Sequence, residues 1–357
     1  ALSSSLILLL LMSDQLEIWH LYALSAVASA FSAFQFPAFS AAMTLMLPKE
    51  QYGRANGMLA TANSASGIAA PIFGGFLLTL FDLNFILVFD IITAAVAVGC
   101  VALAIIPQPK VSEAGAAASG SLWEESLYGF RHIWKRPSLF GMQMIFLTQN
   151  FFLSMGFILL APYILARTGS DEVTLGIVQS AGAFGGLAGG LLMSAWGGPE
   201  KRVHGVLVSM ILSGLFGSMT LGIGQTVLFW SISAFIYSSM IPIMNTSNQA
   251  IWQAKVPSDV QGRVFATRRL LAQITTPIAM LAAGPLTDRL FEPAMQAGGA
   301  LANLFGGLVG VGPGAGMGLI FVFSGIIGAI FAGAGYFVPV VREIESILPD
   351  AVPAIAE

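Results

Sequence analysis

The chain has 357 residues, of which 56% are hydrophobic and 9% charged, with a net charge of −3 and a mean hydropathy of +0.82. Soluble domains carry roughly 25% charged residues, so this composition leaves little polar surface for a water-soluble fold. The apolar segments are long and continuous, which excludes a transmembrane β-barrel built from alternating strands of about ten residues. An all-α protein that crosses the lipid bilayer several times is therefore predicted.

No metal site, cofactor or enzyme active site is predicted. The single cysteine, Cys100, lies in an apolar segment, so a disulfide framework is ruled out. The histidines His20, His132 and His204 lie in separate segments and lack the spacing of metal ligands. No cluster of catalytic residues recurs within the apolar segments.

Ten membrane helices are predicted in chain order, because about 20 apolar residues span the hydrocarbon core. They are a partial helix at 1–12, then 18–46, 54–80, 84–106, 138–166, 172–196, 204–224, 227–254, 264–286 and 317–341. The glycine-rich segment 306–318 is predicted to be an extracellular loop. It lacks the Gly-Lys-Ser/Thr of a phosphate-binding loop, so we expect no nucleotide as a partner. A nucleic acid is not expected as a partner either.

One long polar segment, 107–137, divides these helices into two bundles. It begins with prolines and small residues and ends in alternating aromatic and charged residues. This pattern predicts a linker followed by an amphipathic helix on the membrane surface. The predicted domains are an N-terminal bundle at 1–106, the linker at 107–137, a six-helix bundle at 138–341 and a tail at 342–357.

Lysine and arginine predict the orientation in the membrane. Of the 15 such residues, all but Arg167 and Arg289 lie on one face if the ten helices alternate in direction. Basic residues favour the cytoplasmic side. We therefore expect a multi-pass protein of the cytoplasmic membrane, with its linker, basic loops and C-terminus in the cytoplasm.

A short charged segment occurs twice, at 47–54 and 256–263. The copies share a proline, an acid, a glycine and an arginine at a constant offset of 209 positions: Pro48/Pro257, Glu50/Asp259, Gly53/Gly262 and Arg54/Arg263. Such duplication is typical of secondary transporters built from two similar halves. Applied to the six-helix bundle, the offset predicts two further helices, roughly 70 residues, before residue 1 of a twelve-helix protein.

Two six-helix bundles joined by a cytoplasmic linker resemble the major facilitator superfamily. Several motifs resemble its macrolide-efflux-type branch of multidrug exporters: Phe36-Pro37-Ala38, Leu47-Pro48, Gly53-Arg54-Ala55-Asn56, Gly284-Pro285-Leu286-Thr287-Asp288-Arg289, Phe291-Glu292-Pro293-Ala294-Met295 and Gly310-Val311-Gly312-Pro313-Gly314. The resemblance implies a transporter that exports amphipathic small molecules in exchange for protons by alternating access. Export of a specific endogenous molecule such as a siderophore is one alternative, and a non-transporting scaffold or sensor is another. We expect a monomer.

In this superfamily, arginines of such loops close a cytoplasmic gate by pairing with acids of the loop between the second and third helices of each half. The resemblance assigns the gate to Glu50, Gly53, Arg54, Asp259, Gly262, Arg263, Glu200, Lys201 and Arg202. The family pattern usually has an aspartate before the basic residues of the 197–202 loop, where this chain has only Glu200. The alternative is anchoring by positive charge together with helix capping.

The segment 66–75 resembles the antiporter motif of the fifth helix, in which a proline bends the helix between small residues. The residues that match are Gly67, Pro71, Gly74 and Gly75. Ala70 stands where glycine usually precedes the proline. Close packing of an ordinary membrane helix is the alternative.

Neutral polar residues in the helices expected to line a central cavity are candidates for substrate binding. They are Gln35, Asn63, Gln149, Asn150, Gln179, Tyr237, Asn245 and Gln273. Amides and a phenol among apolar side chains suit an amphipathic ligand, and interhelical hydrogen bonding is the alternative. Asp90 is a candidate for proton coupling, because an aspartate at mid-membrane costs about 2.5–3.5 kcal/mol. It lies near the outer end of its helix and could instead bond a neighbouring helix.

Overall fold

The computed structural model describes residues 2–103 and 122–351, which form helices joined by short turns. The helices are α1 Leu2–Met12, α2 Ile18–Met46, α3 Tyr52–Leu80, α4 Leu83–Leu103, α5 Leu122–Trp134, α6 Pro137–Thr168, α7 Glu172–Trp196, α8 Arg202–Ile223, α9 Val227–Lys255, α10 Gln261–Ala294, α11 Ala302–Val309, α12 Ala315–Phe337, α13 Pro339–Arg342 and α14 Ile344–Ile347. Within the described residues, nine of these are long and apolar enough to cross a membrane: α2, α3, α4, α6, α7, α8, α9, α10 and α12. The predicted all-α membrane fold is confirmed.

Local sequence determines where several helices begin and end. Asp171 caps α7, because its carboxylate accepts hydrogen bonds from the backbone N–H groups of Val173 (3.0 Å) and Thr174 (3.2 Å). Gly169 ends α6 with φ 66° and Gly197 ends α7 with φ 85°, both in the left-handed conformation that favours glycine. These ends reverse the chain between consecutive membrane helices.

The helix predicted at 264–286 extends further, and the predicted glycine-rich loop is partly helical. The chain continues through a π-helical turn, Leu286–Phe291, despite its polar residues. The Glu292 carboxylate then accepts hydrogen bonds from the backbone N–H groups of Gly314 (3.2 Å) and Met317 (3.1 Å). An acid is favourable at the N-terminus of α12. This long-range contact stabilises the part of α10 that extends beyond its apolar segment.

The linker is described only in its last part. Its first residues, 107–121, and the end of the helix predicted at 84–106 lie outside the described residues. The predicted amphipathic helix is present as α5, with His132 and Ile133 buried on its inner side.

The hydrophobic core lies in the helices that follow the linker. We call α1–α4 the first group and α6–α12 the second group. Two of the core clusters in the second group are built around Trp252 and around Tyr163, both almost fully buried. In the first group, α1 and α4 bury none of their residues, whereas α2 and α3 pack mainly against the second group.

The loops rich in lysine and arginine meet at one end of the bundle, which we call the basic end. Arg202 Nη2 donates a hydrogen bond to the Lys49 carbonyl oxygen at 2.7 Å, which joins the loop before α3 to the start of α8. Lys255, at the end of α9, donates to the carbonyl oxygen of Glu345 in α14 at 2.6 Å. The loops of both groups and the C-terminal residues therefore lie side by side.

Candidate functional site

The first copy of the repeated segment packs directly on the loop that follows α7. A Cβ atom added at Gly53 would lie 2.9 Å from the carbonyl carbon of Gly197 and closer still to its oxygen. A Cβ at Gly197 would lie 3.0 Å from Arg54 Cγ. Only glycine fits at position 53 without movement, so the two groups are in backbone contact at the basic end.

The contact continues along α3 and α7 through a stripe of small residues. A Cβ at Gly57 would lie 2.6 Å from backbone atoms of Met193 and Ser194, and one at Gly190 would lie 2.8 Å from the backbone nitrogen of Thr61. The hydroxyl oxygens of Thr61 and Ser194 are 3.0 Å apart. Small residues let membrane helices approach this closely. Sequence reasoning misses the contact, although small residues four positions apart on both helices are its signal.

Buried neutral side chains link α2 and α3 to α9 and α10 beside this stripe. The hydrogen bonds that cross between the groups run from Asn56 Nδ2 to Gln253 Oε1 (2.7 Å), from Gln249 Nε2 to the Ser40 hydroxyl (3.2 Å) and from the Thr44 hydroxyl to Gln261 Oε1 (3.1 Å). All six side chains belong to buried residues. We call them the amide network. Sequence reasoning misses them as well, because each is an ordinary polar residue within an apolar helix.

Arginines of α10 border the amide network. Arg268 Nη1 donates to Gln249 Oε1 at 2.6 Å, and its guanidinium carbon lies 5.2 Å from the centre of the Trp252 ring. The Arg269 guanidinium lies 5.6 Å from the Phe36 ring of α2. Both distances are within the range of cation–π attraction. The positive charges of Arg268 and Arg269 are thus stabilised partly by an amide oxygen and partly by aromatic rings.

The charged residues predicted for a gate lie at the basic end, mostly in contact with solvent. Glu50, Arg54, Glu200 and Lys201 are exposed, and Asp259, Gly262 and Arg263 are half-buried around the start of α10. Arg202 is half-buried and donates to the Lys49 carbonyl oxygen described above. Whether these residues act as a gate stays a prediction.

The two copies of the repeat are alike in sequence and differ in packing. A Cβ at Gly262 would meet no atom within 4 Å, in contrast to Gly53. At the second copy, α10 packs against α5, where a Cβ at Gly129 would lie 2.7 Å from the Arg263 carbonyl oxygen. Of these two glycines, only Gly53, in the first copy, lies at the close contact between the groups.

The linker helix α5 brings a buried histidine to the basic end. The His132 ring is 3.2 Å from the Tyr128 hydroxyl, and the side chain is almost fully buried. Burial, and then the positive charge of Arg136, lower the pKa of His132 to about 4. His132 is therefore neutral at pH 7, and its protonation opposes the docking of α5.

A cavity of about 590 Å³ lies beyond the basic end, between α3 of the first group and the helices of the second group. Two predicted substrate-binding residues, Gln179 and Tyr237, contribute to its wall, together with Ser64, Ser218 and Ser238. The remaining lining residues are glycines and apolar side chains. Its described wall is uncharged and largely apolar, which suits an amphipathic ligand.

Most of the other residues predicted for the cavity lie elsewhere in the described structure. Gln35, Asn63, Asn245 and Gln273 are exposed, Asn150 is half-buried, and none of them belongs to the described lining of this cavity. Gln149 is buried against α12, where a Cβ at Gly328 would lie 3.2 Å from its Oε1. Gln149 thus packs between helices.

Only the first part of the segment that resembles an antiporter motif reaches the cavity in the described structure. Gly67 lines the cavity, and Pro71 lies within the helix. A Cβ at Gly74 or Gly75 would meet nothing within 4 Å. Close packing in the described residues therefore does not explain these two glycines.

The candidate proton carrier Asp90 is exposed on α4. Its Oδ2 accepts a hydrogen bond from the Ser4 hydroxyl of α1 at 2.6 Å. This is the interhelical bond that the sequence left open as an alternative. The contact does not test proton coupling, which stays a prediction.

Comparison with known proteins assigns the chain to a family. The model of the Major Facilitator Superfamily matches residues 1–280. Macrolide efflux protein A of Streptococcus pyogenes is 24% identical over 278 residues, which is 77% of this chain and 68% of the relative. The protein of the same name from Enterococcus faecalis is 24% identical over 74% of this chain and 82% of its own length. Multidrug efflux pump Tap of Mycolicibacterium fortuitum is 28% identical over 74% of this chain and 66% of its own length. With more than half of its length matched, the chain belongs to the Major Facilitator Superfamily.

Proposed function

We propose that this chain exports amphipathic small molecules out of the cell across the cytoplasmic membrane. The observation that carries the proposal is the cavity of about 590 Å³, which lies between the two groups of helices and beyond a closely packed basic end. The names of the relatives, macrolide and multidrug efflux proteins, support an apolar drug-sized substrate.

The mechanism we infer is alternating access, in which the two groups rock about the cavity. In the form described, the α3–α7 stripe and the amide network close the basic end. In the other form these contacts separate, and the cavity opens toward the basic loops. The substrate enters from one side and leaves from the other.

Neutral amides and hydroxyls suit a gate of this kind. When the basic end opens, each lost hydrogen bond of the amide network is replaced by one to water, at a net cost of only about 0.5–1.5 kcal/mol per bond. We therefore assign the closing contact to Asn56–Gln253, Ser40–Gln249 and Thr44–Gln261, with the charged loop residues around it.

We infer that export is coupled to protons, and that Asp90 is the candidate carrier in the described part of the chain. Its position on α4 is outside the cavity, so coupling would act through the contact between α1 and α4. Gln179 and Tyr237 are assigned to substrate recognition by hydrogen bonding.

The experiment that tests the function is accumulation of radiolabelled erythromycin in cells that lack their own drug pumps. Cells that express the chain are expected to accumulate less label than cells with an empty vector, and a protonophore should abolish the difference. If cells with the protein in their membrane accumulate as much erythromycin, and as much of an amphipathic dye, as the empty-vector cells do, export of such compounds is refuted.

The same cells distinguish the alternatives. An exporter of an endogenous metabolite such as a siderophore leaves drug accumulation unchanged and alters the small molecules found in the medium. A scaffold or sensor changes neither.

A further inference from the structure

The C-terminal strap, residues 339–351, crosses the basic end after α12. Its buried residue Ile344 is part of the core of the second group. The Glu345 carboxylate accepts a hydrogen bond from the Val203 backbone N–H at 3.0 Å, in the first turn of α8. Lys255 Nζ donates to the Glu345 carbonyl oxygen at 2.6 Å. The strap is therefore fixed to the second group.

The end of the strap reaches the first group through Asp350. Its Oδ2 pairs with Lys49 Nζ at 2.6 Å, and its Oδ1 pairs with Lys255 Nζ at 2.9 Å. Lys49 lies in the first copy of the repeated segment, between α2 and α3, whereas Lys255 ends α9. The Ala351 N–H donates to the Ala254 carbonyl oxygen at 2.8 Å and holds the strap beside this pair. One carboxylate thus joins both groups.

Lys49 is held at two points, one by the strap and one by the second group. Its ammonium binds Asp350, and its carbonyl oxygen accepts from Arg202 Nη2 at 2.7 Å. The side chains of Lys49 and Asp350 are 55% and 39% exposed. An ion pair this exposed stabilises only weakly. It suits a contact that has to break and re-form whenever the basic end opens and closes.

We propose that the C-terminal strap is a latch, in which the Asp350 carboxylate holds the loop before α3 against the second group and keeps the basic end closed. The latch rests on the proposed rocking of the two groups, since it matters only if the basic end opens. Its effect on the population of the closed form can be measured without any transport assay.

The test is labelling of a cysteine at Ser238, in the cavity wall, on a Cys100→Ala background. A membrane-impermeant maleimide is applied to intact cells and to inside-out vesicles. Asp350→Asn removes the pairs with Lys49 and with Lys255, so it is expected to speed labelling from the basic end by about threefold or more and to slow it from the opposite end. Glu343→Gln is the matched control, because the Arg342–Glu343 pair (2.6 Å) lies within the strap itself.

Lys49→Met removes the same pair from the first group and keeps the test valid if Asp350→Asn does not fold. The double variant should label no faster than Asp350→Asn alone, because Asp350→Asn already removes the Lys49 pair. Labelling equal to wild type in both single variants would overturn the latch. Adding erythromycin to the wild type separates the two proposals. If Asp350→Asn changes the labelling rate and erythromycin does not, the result supports the latch and counts against transport of this drug. If erythromycin changes the labelling rate and Asp350→Asn does not, the result supports transport of this drug and counts against the latch.

Discussion

Replacing Gly53 by alanine should weaken the closed form of the basic end. The new Cβ would lie 2.9 Å from the Gly197 carbonyl carbon and closer to its oxygen, whereas ordinary contacts are 3.4–4 Å. The loop or α3 must therefore move apart, and overpacking of this kind costs about 1–3 kcal/mol. At 1.4 kcal/mol per factor of ten, the closed form should be disfavoured by about 5- to 150-fold.

The matched control for Gly53→Ala is Gly262→Ala, the same position in the second copy of the repeat. A Cβ at Gly262 meets nothing within 4 Å, and alanine is favoured over glycine in a helix by roughly 1 kcal/mol. Maleimide labelling of Ser238→Cys from the basic end is the assay. Gly53→Ala should label much faster than wild type, and Gly262→Ala should not. Equal labelling rates in the two variants would refute the packing argument.

Three further predictions concern single side chains. Tyr163→Phe should lower the free energy of unfolding of the detergent-solubilised protein by about 1–2 kcal/mol, because the buried hydroxyl, a single donor, lies 3.1–3.2 Å from three carbonyl oxygens near the end of α8. Tyr237→Phe, at the cavity wall, is the control and should leave stability unchanged. Equal losses in the two variants would contradict this prediction. Stability should fall as the pH drops from about 6.5 to about 4, because the unfolded chain binds a proton at His132 that the folded chain excludes. His132→Leu should flatten this part of the plot of melting temperature against pH. An unchanged slope would show that His132 is not the group responsible. Asp90→Asn keeps an acceptor for the Ser4 hydroxyl and removes the ionisable proton, so export should lose its dependence on the pH gradient, and an unchanged dependence would exclude Asp90 as the carrier.

The membrane helices could be predicted from the sequence because they depend on local composition. Apolar length alone locates eight of the nine within a few residues in the described structure. The exception is α10, which continues to Ala294 because Glu292 bonds to the start of α12. A contact between residues so far apart in the chain leaves no periodic signal.

The candidate site could be predicted only in part. Gln179 and Tyr237 do line the cavity, because polar residues in apolar helices tend to face protein rather than lipid. The same rule fails to distinguish Gln149, which packs against α12. The role of Gly53 depends on Gly197 of another helix, so the repeat alone could not separate it from Gly262.

The charged residues of the repeat are the most obvious feature of the basic end in the sequence. Neutral side chains nevertheless make several of the contacts between the two groups there. Asn56 and Gln253 are bonded at 2.7 Å and buried, while Glu50 and Arg54 face solvent. Charge is conspicuous in a sequence of this composition. Burial of an amide between two groups of helices can be recognised only once the fold brings them together.

A reversible cross-link across the α3–α7 stripe tests the central claim most directly. Thr61→Cys and Ser194→Cys, on the Cys100→Ala background, replace hydroxyl oxygens that are 3.0 Å apart. Erythromycin export is measured in vesicles with an imposed pH gradient, before and after oxidation and again after reduction. Alternating access predicts that the disulfide stops export and that reduction restores it. Export that continues at the same rate with the disulfide formed would contradict the claim that the basic end must open.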